Sequence, residues 1–272
     1  MAPWLAAAVQ MTSTEDVAGN LARAGALVAR AVARGAGLVT LPENFAWLRI
    51  SGPDPAEVLD ERAPGPILRF GLEAAARHGV WLLLGSVPEA GAAELGGRIH
   101  NTSVLVAPTG RVAAVYRKIH LFDVAIPGGA EVRESDRFAP GAEPVLAETA
   151  LGPIGLTICY DLRFPELYRT LVARGARVLC VPSAFTAHTG KDHWEVLLRA
   201  RAIENQCWVV AAAQYGHHGA NRRSYGHAMI VDPWGAVLAC APDREDIAVA
   251  EIDFARQDEI RQQLPCLGHR RL

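Results

Sequence analysis

Short apolar runs alternate with longer amphipathic stretches along the first part of the chain. The runs Leu5–Gln10, Val39–Leu41 and Val80–Val87 contain few polar positions and therefore predict buried strands. The stretches Glu15–Arg34 and Pro66–His78 place apolar residues on one face at helical spacing, which predicts amphipathic helices. This order of strand, helix and strand predicts an α/β protein.

The same order returns in the second half of the chain. Ile154–Ile158 predicts a strand that leads into an amphipathic stretch, and Asp192–Asn205 predicts a helix. Trp208–Ala213 and Ile247–Ile252 predict two more strands. Each half also contains two apolar runs around a turn sequence with proline and glycine, which predicts a hairpin: Thr102–Ala107 with Val112–Tyr116, and Ala228–Val231 with Ala236–Ala239. Two similar halves indicate internal pseudo-symmetry and two sheets packed face to face.

Residues 126–141 interrupt this pattern. The segment is rich in glycine, proline and charged residues and has no clear hydrophobic period, so it predicts a long loop. Loops of that length often carry function. Because the segment begins shortly after Lys118, we expect it to cover a pocket there.

Composition indicates one globular domain, which we expect to span residues 1–272. Half of the 272 residues are hydrophobic (50%), enough for a large core. The net charge of −2 argues against a nucleic-acid partner or an anionic membrane surface. No apolar run approaches the length of a membrane span. The run Leu5–Val9 is short and polar residues follow it, so it predicts a first strand and not a signal peptide.

The cysteines also bear on location. There are five of them, widely spaced, with no C-x-x-C pair. This spacing fits neither a disulfide framework nor a zinc site and favours a reducing, cytoplasmic compartment. Cys180, Cys207 and Cys240 lie in apolar runs, so we expect them in the core.

Cys159 occupies a sharp turn between a predicted strand and a predicted helix. Asp161 is positioned to cap that helix, and Pro165 lies in its first turn, where a missing N–H is not needed. Backbone N–H groups and a helix N-terminus at such a turn favour a thiolate and an oxyanion. The alternative for a cysteine on its own is a buried structural residue.

Two charged residues end other predicted strands. Glu43 follows the apolar run Leu38–Leu41, where a carboxylate is a candidate proton acceptor, a solvated acid or a helix cap. Lys118 follows the predicted strand Val112–Tyr116. Of the 27 lysines and arginines, only Lys118 and Lys191 are lysines. A sequence that otherwise uses arginine for positive charge indicates a need for a compact ammonium at position 118; the alternative is a surface lysine.

Glu43, Lys118 and Cys159, each at a strand end and in that order, resemble the active-site residues of the nitrilase superfamily of carbon–nitrogen hydrolases. Three signatures that span the chain carry the resemblance: Leu41–Phe45 (LPENF), Tyr116–Asp123 (YRKIHLFD) and Thr157–Glu166 (TICYDLRFPE). The chain is most similar to the branch that contains deaminated glutathione amidases and omega-amidases. The stretches His193–Gln206 and Ser224–Gly235 look like the former.

The resemblance implies a four-layer α-β-β-α sandwich that pairs into homodimers or larger homo-oligomers. It implies that Cys159 attacks an amide carbonyl while Glu43 accepts the thiol proton and passes it to the leaving nitrogen. Lys118 and the backbone N–H of Tyr160 would hold the oxyanion. Glu134 falls where the superfamily often has a second glutamate that positions the lysine.

A carboxylate on the substrate is expected from Arg163, four residues after the predicted nucleophile. Its guanidinium is positioned for a bidentate pair or, alternatively, is an exposed arginine at a helix start. Four further residues are candidates for the pocket lining or, alternatively, for packing: His120, Phe185, Trp194 and His227.

We expect neither a metal nor an organic cofactor, because the three chemical groups supply every role that amide hydrolysis needs. No H-E-x-x-H motif or clustered Asp/His spacing is present in the sequence. His217 and His218 with His227 form only a weak grouping for a metal.

These inferences predict a thiol-dependent amidase with a small-molecule amide as substrate. The resemblance favours hydrolysis of deaminated glutathione to 2-oxoglutarate and cysteinylglycine, a metabolite-repair reaction. Omega-amidase action on 2-oxoglutaramate and hydrolysis of N-carbamoyl amino acids are alternatives with the same mechanism. The non-enzyme alternative is a catalytically silent binding protein with the same fold. Retention of all three chemical groups argues against this alternative.

Overall fold

Two β-sheets pack face to face in the computed structural model, which describes residues 1–91, 95–125, 131–219 and 222–271. Within these residues the strands are β1 (Trp4–Met11), β2 (Ala36–Thr40), β3 (Trp81–Glu89), β4 (His100–Val106), β5 (Val112–Arg117), β6 (Asp123–Ala125), β7 (Glu131–Arg133), β8 (Val145–Ala147), β9 (Ile154–Leu156), β10 (Val178–Cys180), β11 (Trp208–Ala211), β12 (Ala213–His217), β13 (Arg223–Tyr225), β14 (Met229–Val231), β15 (Val237–Cys240) and β16 (Asp246–Ile252). The α-helices are α1 (Val17–Ala33), α2 (Pro66–His78), α3 (Pro165–Ala173), α4 (Ala187–Asn205) and α5 (Phe254–Gln263).

Each sheet combines a parallel part with an antiparallel hairpin. The larger sheet has the order β13-β12-β1-β2-β3-β4-β5, with β16 also paired to β1. Strands β1, β2 and β3 are parallel, and β3, β4 and β5 are antiparallel. The smaller sheet has the order β15-β14-β11-β10-β9-β8, in which β9, β10 and β11 are parallel and β14 and β15 form the hairpin. Both predicted hairpins are therefore confirmed, one in each sheet.

Alternate residues of β1 enter different cores on the two sides of the larger sheet. Ala6 and Ala8 pack in the core that contains Ile154 of the smaller sheet, whereas Ala7 and Val9 pack in the core formed with α1 and α2. All four β1 side chains are fully buried. A strand that is buried on both faces needs apolar residues at every position, which explains the uninterrupted run in the sequence.

Helices cover the outer face of each sheet. Val28 of α1 and Leu68 of α2 pack against the larger sheet. Leu171 of α3 and Leu198 of α4 belong to the core that includes the smaller sheet. The layers thus follow the order α-β-β-α, which confirms the predicted sandwich.

Most differences from the predicted elements are at their ends. Helix α4 starts at Ala187 instead of Asp192, because the Thr186 side chain caps it by accepting a hydrogen bond from the Thr189 N–H. The run Trp208–Ala213 does not form one strand. It forms β11 in the smaller sheet and then the start of β12 in the larger sheet, so the chain passes between the sheets here.

Two expectations about local structure were wrong. Residues 126–141 are not one irregular loop, because β7 pairs with β6 and the 3₁₀ turn Glu134–Asp136 follows it; positions 126–130 lie outside the described residues. Cys240 is exposed and not in the core, because its strand β15 is the edge of the smaller sheet. Cys180 and Cys207 are buried as predicted.

Candidate active site

Three strand ends bring Glu43, Lys118 and Cys159 together where the two sheets meet. Glu43 follows β2, Lys118 follows β5 and Cys159 follows β9. These residues are only 3%, 2% and 8% exposed. Because β2 and β5 belong to the larger sheet and β9 to the smaller, the cluster forms only when the sheets are packed together.

Lys118 contacts two carboxylates at once. Its Nζ donates to Glu43 Oε1 at 2.8 Å and to Glu134 Oε2 at 2.9 Å. Asn101 Nδ2 donates to the same pair, at 3.0 Å from Oε1 of each glutamate. The structure thus places Glu134 beside the lysine, as the resemblance implied, and this network of buried hydrogen bonds holds the side chains in fixed positions.

Backbone N–H groups restrain the two carboxylates further. The Ala184 N–H donates to Glu43 Oε2 at 3.0 Å, and the Phe122 N–H donates to Glu134 Oε2 at 2.6 Å. The Ala184 N–H also favours the charged form of Cys159 and so lowers its pKa, against the larger effect of burial. Glu43 therefore lies between Lys118 and Cys159, which is the position of a group that accepts the thiol proton.

The electrostatics of the cluster favour a neutral thiol beside a charged carboxylate, so the expectation of a thiolate at this turn is wrong for the free protein. Burial and the negative charge of Glu43 raise the pKa of Cys159 well above its usual 9.0, and Lys118 opposes them only in part. Burial by itself would raise the pKa of Glu43. The charge of Lys118 and hydrogen bonds from Lys118, Cys159 and Asn101 outweigh it, so the Glu43 pKa lies below its usual 4.5.

Lys118 remains an ammonium in this environment. Burial would lower its pKa, but Glu134 and Glu43 raise the pKa well above the usual 10.5. A positive charge that persists next to the Cys159 sulfur is suited to stabilise negative charge that develops there during a reaction.

The backbone at Cys159 is strained. Its φ of 47° lies in the left-handed region, which residues with a Cβ rarely adopt. The Cys159 N–H donates to the Pro182 carbonyl at 2.9 Å, and a 3₁₀ turn over Cys159–Arg163 follows. Such strain is typical of active-site residues that the surrounding structure holds in place.

Asp161 anchors this turn and does not cap α3, so that prediction was wrong. Its Oδ2 accepts hydrogen bonds from the Tyr116 hydroxyl at 2.7 Å and the Ile158 N–H at 2.8 Å. Its Oδ1 accepts from the His120 N–H at 3.1 Å. The 3₁₀ turn moves the start of α3 beyond Phe164, which forms no side-chain cap. Asp161 instead ties the turn of the smaller sheet to the end of β5.

Arg163 lies among aromatic side chains close to the turn. Its guanidinium carbon is 5.8 Å from the ring centre of Tyr160 and 5.3 Å from that of Phe185. Its Nη1 is 3.3 Å from His193 Nδ1. In the part of the chain that the structure describes, no carboxylate pairs with Arg163. The guanidinium is therefore available to an anion near the residue that follows the nucleophile.

The other predicted lining residues lie at different depths. His120 is partly exposed, and its Nδ1 is 2.8 Å from Asp161 Oδ1. Trp194 is fully buried, and its indole N–H donates to the His227 carbonyl at 2.8 Å. The side chain of His227 is 31% exposed. The structure therefore leaves the two histidines accessible and places the indole in the core.

A second polar network contacts the backbone of Glu43. Gln214 Nε2 donates to the Glu43 carbonyl at 3.0 Å and to Ser13 Oγ at 2.7 Å. His218 Nδ1 lies 2.9 Å from the Ser13 carbonyl, and its Nε2 lies 2.8 Å from Ser224 Oγ. Burial lowers the pKa of His218 to about 4. His218 is thus neutral at pH 7, and both of its ring nitrogens contact groups of the framework.

Sequence reasoning missed several of these contributors. Asn101 directly precedes the apolar run Thr102–Ala107, and this position was a usable signal. A polar amide next to a buried strand needs hydrogen-bond partners, which indicates a specific role. Ala184 contributes only its backbone N–H, and no side-chain pattern marks that role. Gln214 and Ser13 lie on strands or loops of different parts of the chain, so only the packed sheets reveal their contact.

Neither a cluster of candidate metal ligands nor a membrane-spanning helix is present in the described ranges. No group of three or more histidine, cysteine, aspartate or glutamate residues there is arranged to hold a metal ion. Among the helices of the same ranges, none has the length and apolarity needed to cross a membrane.

Comparisons with known proteins agree with this geometry. The carbon–nitrogen hydrolase family profile matches residues 5–262. The chain is 48% identical to the deaminated glutathione amidase of Synechocystis sp., over 99% of each chain. It superposes on Saccharomyces cerevisiae Nit3, a member of branch 10 of the nitrilase superfamily, with a TM-score of 0.88 and 31% identity, covering 97% of this chain and 94% of Nit3. The C. elegans NitFhit protein gives a TM-score of 0.86 and 40% identity; the match covers 99% of this chain but 65% of NitFhit.

Proposed function

The chain belongs to the carbon–nitrogen hydrolase family, and from that membership we propose that it is a thiol amidase whose substrate is deaminated glutathione. The products would be 2-oxoglutarate and cysteinylglycine. The observation that carries the chemistry is the contact of one thiol, one carboxylate and one ammonium in a buried cluster. The substrate follows from the Synechocystis relative that is named for this reaction.

In this proposal Cys159 is the nucleophile and Glu43 transfers the protons. Glu43 accepts the thiol proton as the sulfur attacks the amide carbonyl carbon, and it then protonates the leaving nitrogen as the C–N bond breaks. Water replaces the leaving amine, Glu43 deprotonates it, and the hydroxide attacks the thioester. The carboxylic acid leaves and the Cys159 thiol forms again.

Lys118 and the Tyr160 N–H are proposed to bind the oxygen that becomes negative in each tetrahedral intermediate. The charge of Lys118 acts directly on the Cys159 sulfur, which supports this role. Tyr160 directly follows Cys159 in the chain, so the Tyr160 backbone N–H is held close to the reacting sulfur. Glu134 and Asn101 are proposed to orient Lys118 and Glu43 and not to take part in proton transfer.

Replacement of the thiol tests the nucleophile. We expect Cys159→Ala to lose all measurable turnover, because no other group in the cluster forms a covalent intermediate. Cys240→Ala is the matched control, since Cys240 is exposed and on the edge of the smaller sheet. Hydrolysis is followed by release of 2-oxoglutarate, and circular dichroism reports folding. Residual turnover of more than a few per cent of the wild-type rate by Cys159→Ala would refute the assignment.

The substrate is tested by the ratio of kcat/KM for deaminated glutathione and for 2-oxoglutaramate. Both substrates have the same 2-oxo acid, which Arg163 is proposed to bind, but they differ in the leaving group. A higher value for deaminated glutathione supports the proposal. A tenfold or greater preference for 2-oxoglutaramate would make the protein an omega-amidase, and turnover of N-carbamoyl amino acids alone would replace both substrates.

The proposal includes a homodimer or larger homo-oligomer in the cytoplasm. The oligomer is supported by the family membership and the compartment by the cysteine spacing in the sequence. Sedimentation velocity at micromolar concentration measures the oligomeric state directly. A monomer under these conditions would contradict this part of the proposal and leave the chemistry unaffected.

A further inference from the structure

Arg222 directly precedes β13, which pairs with β12, and β12 contacts Glu43 because Gln214 Nε2 donates to the Glu43 carbonyl at 3.0 Å. The Arg222 backbone N–H donates to the Gly219 carbonyl at 3.1 Å, and its carbonyl accepts a hydrogen bond from the His218 N–H at 3.1 Å. Its Nη1 donates to the Arg49 carbonyl at 3.1 Å. Arg49 belongs to the segment that follows Glu43, so these contacts place the guanidinium on the Glu43 side of the cluster.

Arg222 is exposed to solvent and also packs against protein through the Arg49 carbonyl. Desolvation by the surrounding protein is the main reason that the pKa of its guanidinium lies below its usual value. The carboxylates of Glu43 and Glu134 raise its pKa and so act in the opposite direction. An exposed guanidinium on which both carboxylates of the cluster act is expected at the wall of the cleft that leads to the cluster.

Like Arg163, and unlike Lys118 and Arg137, Arg222 pairs with no carboxylate among the described residues. Lys118 contacts two glutamates, and Arg137 pairs with both oxygens of Asp54. Across the ranges that the structure describes, the only hydrogen-bond acceptor found for the Arg222 side chain is the carbonyl oxygen of Arg49. A guanidinium has five N–H donors, so most of its capacity is available to a ligand.

The position relative to Glu43 determines which part of a substrate approaches Arg222. Glu43 protonates the leaving nitrogen, so the leaving group has to pass Glu43 on its way out of the cluster. An extended dipeptide reaches about 7 Å beyond that nitrogen.

We propose that Arg222 binds a carboxylate at the far end of the leaving group, which in deaminated glutathione is the carboxylate of the terminal glycine. This inference rests on the proposed function and adds to it a second point of recognition. Arg163 would bind the 2-oxo acid end and Arg222 the dipeptide end, so that a substrate with two carboxylates is held on both sides of the scissile bond. Arg222 is therefore a specificity residue that separates dipeptide-releasing from ammonia-releasing hydrolysis.

The experiment compares Arg222→Gln with Arg223→Gln on three substrates. Arg223 is the matched control because it is the adjacent, exposed arginine on β13. The substrates are deaminated glutathione, its analogue with a terminal glycinamide, and 2-oxoglutaramate. The measured quantity is kcat/KM, with kcat and KM determined separately.

For Arg222→Gln we expect kcat/KM on deaminated glutathione to fall roughly 10- to 100-fold, mainly through KM, which is the range for a lost charge-assisted hydrogen bond. The same variant should keep the wild-type value within about twofold on 2-oxoglutaramate, which also shows that it is folded. The wild type should lose a similar factor on the glycinamide analogue, and Arg222→Gln should show little further loss. Arg223→Gln should resemble the wild type throughout.

Two results would overturn the inference. One is an equal loss for Arg222→Gln on deaminated glutathione and 2-oxoglutaramate, which would indicate a structural role or binding of the acyl end. The other is a variant as active as Arg223→Gln on deaminated glutathione. Failure of the wild type to hydrolyse deaminated glutathione would be a different result, because it would refute the proposed function together with the inference drawn from it.

Discussion

At the residue scale, the active cluster contains more negative than positive charge. Glu43 and Glu134 share the single ammonium of Lys118, and all three are buried or nearly so. Removing one partner of such a buried group leaves the other charge uncompensated, which is more harmful than the loss of a surface pair. The lysine therefore has two constraints, namely its charge and its reach to both carboxylates.

The first prediction tests the shape of this cation. Lys118→Arg keeps the charge but replaces three donors at one nitrogen by a planar fork, so it does not fit the same two carboxylates. We expect kcat to fall by at least about 100-fold, in the range for a lost oxyanion donor. Lys191→Arg is the matched control, because Lys191 is the only other lysine and is exposed on α4. Near-normal turnover by Lys118→Arg would show that any positive charge suffices.

The second prediction concerns pH. Because the Glu43 pKa lies below 4.5 and the Cys159 pKa lies well above 9.0, the thiol and the carboxylate keep their charge states between these limits. The carboxylate accepts a proton only as the pH falls through the lowered Glu43 pKa. We therefore expect kcat/KM to be level from about pH 5 to pH 9 and to fall below that range. A rise through pH 7 to 8 would instead indicate a free thiolate as the reactive form.

At the element scale, the position of Glu43 depends on the close approach of β3 to the end of β2. Gly85 of β3 lies against the backbone of Leu41 and Pro42, which directly precede Glu43. A Cβ at position 85 would lie 1.9 Å from the Leu41 carbonyl oxygen and 2.5 Å from the Pro42 carbonyl carbon. Only glycine allows the strands to approach so closely here.

The third prediction follows from this contact. Gly85→Ala forces the end of β2 to move, and displacement of Glu43 by about 1 Å should lower kcat by about 100-fold. We also expect the free energy of unfolding to fall by about 1–3 kcal/mol, as at other overpacked sites. Gly268→Ala is the control, because an added Cβ there meets no atom within 4 Å. Wild-type kcat in Gly85→Ala would show that the strand end adjusts without moving the carboxylate.

At the scale of the whole molecule, the polar network behind Glu43 joins distant parts of the larger sheet. His218 follows β12 and contacts Ser13 after β1, and Ser13 contacts Gln214 on β12. His218 is 1% exposed and its pKa is about 4, whereas an unfolded histidine titrates near 6.5. The unfolded state therefore binds a proton before the folded state does as the pH falls.

The fourth prediction is the resulting loss of stability in acid. The contribution of His218 to the free energy of unfolding is complete above pH 6.5 and disappears as the pH falls toward 4, by about 3 kcal/mol at most. Urea unfolding of the wild type and of His218→Gln at pH 7.5 and pH 4.5 measures it. The variant should lose less stability over this range than the wild type. An equal loss in both would mean that His218 does not control the acid sensitivity.

The sequence by itself determined the order of the elements and indicated the candidate reactive groups. The spacing of hydrophobic residues and the presence of turn residues are local properties of the sequence. For that reason β1, α2 and both hairpins were predictable from short windows. Glu43, Lys118 and Cys159 were identifiable because each ends a predicted strand and belongs to a signature. The long segment after Lys118 and the position of Cys240 were predicted wrongly, since strand pairing at an edge depends on distant partners.

Only the tertiary structure decided how these groups meet. Packing of the sheets brings Cys159 against Glu43, directs the Ala184 N–H to Glu43 Oε2, and places Asn101 between the two glutamates. The same packing turned Asp161 from an expected cap into an anchor, and exposed Arg222 beside the cluster. These contacts join residues that are far apart in the chain. They depend on sheet register and on the geometry between layers, which the period of a single segment does not contain.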